Sequence, residues 1–368
     1  MRIALFTKDF RGGGAERVMV NLARGLSDQS DIEVDMIVCK AAGPNLALVP
    51  SGVRVVDLKC RQMLTSLPSL VKYIAREKPV AILSALEHAN VIAIAARSIA
   101  KSQSRMVISV HNCLSQDIVG SKNIKKRFEL PFIRAFYPFA DAIVAVSNGV
   151  ADDLAELTRI KRADIDVIYN PVVSDALIQR SHESLDHPWF SEGQPPVVLN
   201  VGRLTYQKDQ AMLIRAFSKL RRKHQARLLI LGDGEERESL ERLAKENGLK
   251  IGNDGDLLLP GFVENPYKYM AKSAVFALSS RFEGLPTVLI EALACGSAVV
   301  STDCPSGPSE ILDGEKWGLL APVGDDETFS EKLASAITLK NIPTREAWTP
   351  YEFDRSALAY RNVLLAGS

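Results

Sequence analysis

VVLNVGRLTYQKDQAMLI, running from Val197 to Ile214, reads as a strand, a polar turn and the start of a helix. The apolar run VVLNV suits one buried strand, Gly202-Arg203 breaks it, and QAMLIRAFSKL resumes at helical spacing. What precedes it, NPVVSDALIQRSHESLDHPWFSEGQPP at residues 170 to 196, is rich in proline, serine and charge and reads as a linker. Before that stretch, the strand candidates RIALF, IEVDMIVC, AILSA, MVISV, AIVAV and DVIY alternate with amphipathic segments such as AERVMVNLARGL, where Val18, Leu22 and Leu26 share a face. After it, RLLILG, LLLPG, VFALSS and AVVST alternate with segments such as ERESLERLAKENG. Alternation of this kind builds parallel sheets with helices on both faces. The expected fold is therefore α/β, with two doubly wound Rossmann-like domains facing a central cleft. The expected boundaries are 1–170, a linker at 171–196, a second domain at 197–345, and a helical tail at 346–368 packing back on the N-terminal domain.

Composition narrows the function classes. The chain has 368 residues, 46% hydrophobic and 24% charged, the balance of a soluble globular protein. A net charge of +1 offers no global attraction for nucleic acid. Cys39, Cys60, Cys113, Cys295 and Cys304 are odd in number and lack CxxC spacing, so they read as free thiols in a reducing compartment. The start MRIALFTKDF lacks the apolar core and cleavage site of a signal peptide, and nothing approaches a membrane-spanning run. A cytoplasmic location is expected.

Open parallel sheets present their ligands at the carboxyl ends of the strands, so the polar turns there are the candidate sites. KDFRGGGAERV, after RIALF, places Gly13 and Gly14 where backbone N–H groups can approach phosphate or sugar oxygens at a helix start. It is not a dinucleotide fingerprint, since Arg17 stands where the third glycine belongs, and it lacks the Gly-Lys-Ser/Thr of a Walker A loop. His111 follows MVISV, where a neutral imidazole can donate or accept a hydrogen bond; a cap on the next element is the plainer alternative. At VGRLTYQKD, Arg203 and Lys208 stand around Gly202, able to converge on a diphosphate or simply to decorate a solvated helix start. LGDGEERESL carries acids that argue against phosphate, and its glycines read as allowing close approach.

RFEGLPTVLIEALACG, residues 281 to 296, carries two acids around a Gly-Leu-Pro corner. Glu291 lies inside an apolar helical run, where a carboxylate is costly unless bound. Pro286 suits a first helical turn, which puts Gly284, Leu285 and Thr287 at the positive end of a helix with Glu283 just before it. Two carboxylates can each take vicinal hydroxyls of a ring, with a diphosphate held between them. STDCPSGPSEIL adds another Gly-Pro corner with Glu310 behind it, which is also ordinary capping chemistry.

In this order, GGGAERV, VGRLTYQKD and FEGLPTVLIEALACG with its E-x7-E spacing resemble the GT-B retaining glycosyltransferases of the family-four type, the group of bacterial polysaccharide and lipid-linked glycan assembly. That resemblance implies transfer of a hexose or N-acetylhexosamine from a nucleotide-diphosphate sugar, UDP favoured, to a glycan or polyprenyl-diphosphate-linked glycan, with retention and with no metal or cofactor. It implies that Arg203 and Lys208 grip the diphosphate, that Glu291 binds ribose, that Glu283 and His111 stand at the donor sugar, and that Gly13 and Gly14 approach phosphate and acceptor.

SKNIKKRFELPFIRAFYPFADA packs Lys122, Lys125, Lys126 and Arg127 against Phe128 and later aromatic residues, a pattern suited to an anionic membrane surface on the inner face of the cell membrane, where a lipid-linked acceptor would lie. An ordinary amphipathic helix with solvated lysines shows the same pattern. Two rival functions share the architecture: a GT-B nucleotide-sugar epimerase, which needs no acceptor, and a two-domain sugar-binding protein without chemistry.

Overall fold

The computed structural model describes residues 1–11, 13–116, 129–339 and 342–367. The chain forms two compact units, Met1–Val172 with Tyr351–Ser368, and Val173–Pro350.

The first unit holds a seven-stranded sheet of β1 (Arg2–Thr7), β2 (Glu33–Val38), β3 (Arg54–Asp57), β4 (Ala81–Ala85), β5 (Arg105–Val110), β6 (Ala142–Ala145) and β7 (Ile165–Val167). Its order is β3-β2-β1-β4-β5-β6-β7, and all its pairings are parallel. The second unit holds β8 (Val197–Val201), β9 (Arg227–Leu231), β10 (Leu257–Gly261), β11 (Val275–Leu278), β12 (Val299–Thr302) and β13 (Leu319–Ala321). Their order, β10-β9-β8-β11-β12-β13, is parallel too and is the same doubly wound plan. In each sheet the strand order reverses once, between β1 and β4 and between β8 and β11. Those reversals open crevices at the carboxyl ends of the strands.

Burial explains the strand composition. Ile3 to Phe6 of β1 and Val198 and Leu199 of β8 are wholly buried, as central strands covered on both faces must be. The helix Gly14–Ser27 buries Val18, Met19, Leu22, Ala23 and Leu26 on one stripe. Two strands escape the hydrophobic pattern, β3 and β13. Both are short strands at the edges of their sheets: β3 reads Arg-Val-Val-Asp, with charged ends, and β13 is only three residues, Leu-Leu-Ala, too short a run to stand out.

The stretch read as a linker is built into the second unit. Ser174 accepts from the Leu177 amide at 3.3 Å and starts the helix Asp175–Ser181. Trp189 is 2% exposed, and its indole N–H donates to the Asn253 carbonyl at 2.6 Å. Arg180 and Asn265 exchange further bonds, Arg180 Nη2 to Glu264 O at 3.0 Å and Asn265 Nδ2 to Arg180 O at 2.9 Å. A polar average over such a stretch hides the one or two large side chains that anchor it.

The tail helix Phe353–Leu365 belongs to the first unit, with Tyr360 and Leu364 in its core and Arg105 Nε donating to Val363 O at 2.7 Å. Lys122, Lys125, Lys126, Arg127 and Phe128 lie outside the described residues. Behind them the helix Glu129–Phe136 buries Ile133 and leaves Phe132 57% exposed. No described helix is long and apolar enough to cross a membrane.

Contact between the first helix and the tail helix is tight enough to test. A Cβ on Gly25 would stand 2.6 Å from the Ala357 Cβ. Gly25→Val should therefore lower first-unit stability by about 1–3 kcal/mol, the range for overpacking, and pairing it with Ala357→Gly should restore part of the loss. Urea unfolding followed by tail-helix proteolysis reads both; an unchanged midpoint in Gly25→Val would show that the tail does not dock there.

Candidate functional site

Because β8 and β11 are neighbours across the reversal, the turns that leave them stand side by side. The first, Gly202 to Asp209, carries Lys208; the second, Ser279 to Pro286, carries Glu283. Lys208 Nζ lies 2.6 Å from Glu283 Oε1, and Ser280 Oγ donates to the same oxygen at 2.6 Å. The carboxylate is only 7% exposed and the ammonium 19%. Taking both charges out of water is tolerable here because each meets its opposite and the acid has a hydroxyl donor besides.

Backbone and side-chain bonds stitch the two turns together. Ser279 Oγ donates to Lys208 O at 2.8 Å, Arg281 N to Gln207 O at 2.8 Å, and Gln207 Nε2 to Phe282 O at 3.0 Å. Asp209, in the left-handed region at φ 44°, caps the helix Gln210–Arg221 by accepting from the Met212 amide at 3.2 Å. Arg203 is exposed and has no ion-pair partner among the described residues.

The turn after β9 closes on the same place. Gly232 sits at φ 136°, and a Cβ there would come within 2.0 Å of the Gly202 carbonyl oxygen. Its glycine thus serves the approach of two protein turns. Gly202 itself has room, since a Cβ would make only ordinary contacts, with the Lys208 side chain at 3.8 Å and Gln210 Nε2 at 3.9 Å.

The helix expected after the Gly-Leu-Pro corner runs Thr287–Ala294, with Pro286 in the cap position at ψ 93°. The amides of Thr287 and Val288, first in that helix, have no acceptor within it and give its start a positive character. Glu291, one turn in, is 7% exposed and accepts from the Tyr267 hydroxyl at 3.4 Å. The turn after β12 braces the corner: Ser306 Oγ donates to Gly284 O at 3.0 Å and Glu283 N to Pro305 O at 3.2 Å. Gly307, at φ 97°, leaves no room for a Cβ, which would strike Pro286 Cδ at 2.4 Å.

The second unit therefore brings together Gly202, Lys208, Glu283, Gly284, Leu285, Pro286 and Thr287, with Arg203 next to Gly202 and Glu291 in the same helix. A cation, a helix start and a buried carboxylate in one corner can bind an anion and, beside it, a hydroxylated ring.

Gly13, Gly14 and His111 belong to the first unit. Gly13 is the cap residue of the helix Gly14–Ser27 at φ −89°, an ordinary conformation, and a Cβ on Gly14 would meet nothing within 4 Å. A Cβ on Gly13, by contrast, would come within 2.0 Å of Glu16 Oε2, so that side chain would have to swing aside. His111 is 7% exposed, and its Nε2 lies 3.0 Å from Ser109 Oγ, which also meets the Tyr360 hydroxyl at 3.0 Å. Burial pushes its pKa down to about 4, so the ring is neutral near pH 7.

Sequence reading missed Ser280, Asp209, Arg281 and Tyr267 around the corner, and Ser109 and Tyr360 beside His111. Ser279 and Ser280 looked like the end of a strand, yet β11 stops at Leu278. Tyr267 and Tyr360 lie far along the chain from the groups they touch, and spacing alone carries no signal of that kind.

Comparison with known proteins follows the same division. The description Glycosyltransferase Family 4 matches residues 12–176, and Glycosyl transferases group 1 matches residues 182–355. The chain is 29% identical, over 98% of its length and 99% of the relative, to the N-acetylgalactosamine-N,N'-diacetylbacillosaminyl-diphospho-undecaprenol 4-alpha-N-acetylgalactosaminyltransferase of Campylobacter jejuni subsp. jejuni serotype O:2. Among solved structures it superposes on the lipopolysaccharide outer core galactosyltransferase WaaB in its apo form, with TM-score 0.75, 20% identity and all of both chains covered. It also superposes on Anabaena Alr3699/HepE in complex with UDP-glucose, with TM-score 0.72 and 20% identity over 99% of this chain and 96% of that one. The structural likenesses establish the two-domain GT-B fold.

Two measurements test this geometry. Gly232→Ala should destabilise the second unit by several kcal/mol, on the order of 2–4, because backbone has to move, while Gly202→Ala should unfold at nearly the wild-type midpoint; equal midpoints would contradict the turn contact. For His111, the folded value of about 4 lies below the ordinary 6.5. The stabilisation is thus complete above about pH 6.5 and declines by up to about 3 kcal/mol as pH falls toward 4. His111→Gln should remove that part of the pH slope of unfolding free energy, and a slope identical to wild type would show the ring to be solvated.

Proposed function

This chain belongs to the glycosyltransferases that join a family 4 segment to a group 1 segment, and from that premise we propose that it moves a hexose or N-acetylhexosamine from a UDP-sugar to a polyprenyl-diphosphate-linked or related glycan, with retention and without a metal. The observation that supports this most is the Lys208–Glu283 pair beside Arg203 at the start of the helix Thr287–Ala294, within the group 1 segment. Full-length similarity to a transferase whose name specifies a diphospho-undecaprenol acceptor favours a lipid-linked acceptor. The shared fold with a UDP-glucose complex favours UDP as the carrier.

In the proposed reaction the acceptor hydroxyl oxygen bonds to the anomeric carbon while the bond from that carbon to the diphosphate breaks. The hydroxyl proton passes to the departing phosphate oxygen on the same face, so no protein base is needed. Lys208 and Arg203 meet the negative charge that grows on the leaving diphosphate, together with the first amides of the helix Thr287–Ala294. Glu283, freed in part from Lys208 when the diphosphate arrives, takes sugar hydroxyls, and Glu291 takes the ribose. The role proposed for His111 is that of a neutral hydrogen-bonding group toward the donor sugar, and for Gly13 and Gly14 that of backbone contact with phosphate or acceptor. The basic and aromatic stretch from Lys122 to Phe128 is the proposed contact with an anionic membrane surface.

A panel of UDP, GDP and ADP with their sugars tests the carrier by thermal shift, where ligand at a hundred times its dissociation constant adds about 2.7 kcal/mol. Lys208→Ala, Arg203→Ala and Glu283→Ala should each lower transfer by about a hundredfold or more, the scale of a lost transition-state donor. Product analysis decides between classes: an isomerised sugar nucleotide without acceptor would mean an epimerase, and binding without turnover a sugar-binding protein. Full transfer activity in any two of the three variants would remove the mechanism.

A further inference from the structure

One charged side chain at the corner is unused by that chemistry. Arg281 lies in the turn after β11, two residues before Glu283, yet three of its contacts go to the other turn. Its Nη2 lies 2.7 Å from Asp209 Oδ2, its guanidinium stacks over the Tyr206 ring at 4.6 Å, and its amide donates to Gln207 O at 2.8 Å. Those three partners flank Lys208 on both sides. Asp209 is 2% exposed, and the Arg281 guanidinium is the cation that faces its carboxylate. Tyr206 is 65% exposed, with the Arg281 guanidinium lying over its ring.

We propose that Arg281 is a positioning residue for glycosyl transfer: it clamps the turn carrying Lys208 to the turn carrying Glu283, and so sets where the lysine's charge meets the diphosphate. The clamp rests on the transfer function proposed above. It works because a guanidinium can present its edge to a carboxylate and its face to a ring at once, which an ammonium cannot do. Neighbouring charge agrees with this placement. The Glu236 carboxyl is pushed up by burial first and then by Asp209 and Glu235, while Arg281 opposes the rise.

Calorimetry with UDP, and steady-state kinetics with whichever donor of the panel wild type turns over, test the clamp. Arg281→Gln should weaken UDP binding and lower kcat by about a hundredfold, the cost of a displacement near 1 Å. In a Lys208→Met background the same change should cost less than about threefold, because its effect runs through the lysine. Asp209→Asn, which still caps its helix, should reproduce the loss with an unchanged thermal midpoint, and it serves if Arg281→Gln does not fold. A merely structural Arg281 would lower the folded fraction and leave the UDP dissociation constant unmoved, which overturns the proposal. So would losses that multiply fully with Lys208→Met. Wild type that neither binds UDP nor transfers would overturn the transfer function and the clamp together, whereas active wild type with an undiminished Arg281→Gln overturns the clamp alone.

Discussion

Lys208 and Glu283 form a mostly buried ion pair at the point where the second sheet reverses its strand order, and the surrounding corner is arranged to tolerate it. An ion pair taken from water gains little unless its geometry is held and its remaining valences are filled. Ser280 fills one of them, and bonds between the two turns hold the geometry. Parallel strand pairing brings these turns together in the first place, since β8 and β11 hydrogen-bond as neighbours although some seventy residues separate Lys208 from Glu283.

Glycines around that corner have two different origins. Gly232 and Gly307 are small because other parts of the protein lie against them, the Gly202 carbonyl in one case and the Pro286 ring in the other. Gly202 has more room, since a Cβ there would meet only ordinary van der Waals neighbours, Lys208 Cδ at 3.8 Å and Gln210 Nε2 at 3.9 Å among them. A glycine-rich turn thus becomes informative only once the neighbours of each Cβ position are known.

Buried carboxylates divide similarly. Asp35, in the middle of β2, is 2% exposed but is held by Arg54, Arg2 and Tyr73, which together satisfy its charge. Nothing about it invites a ligand. Glu283 is also enclosed, but its partner is a lysine from the turn after β8, and the helix Thr287–Ala294 begins just beyond it in the chain. Burial marks an acid as costly, and its surroundings decide whether the cost serves stability or binding.

Alternating apolar runs and amphipathic segments were enough to determine two doubly wound α/β domains, because central strands and their covering helices must be apolar in those periods. Motif order pointed to Arg203, Lys208, Glu283 and Glu291 as one set, and of these Lys208 and Glu283 meet in the structure. The edge strands β3 and β13, and the ordered stretch from Asp175 to Phe190, escaped, since edge exposure and a few anchoring side chains such as Trp189 leave no periodic trace. Only the tertiary structure decided that Lys208 and Glu283 touch, that Arg281 ties their turns together, and that Ser109 and Tyr360 orient His111. Each of those contacts joins groups brought close by sheet pairing or helix docking, and side-chain spacing along a chain holds no record of either.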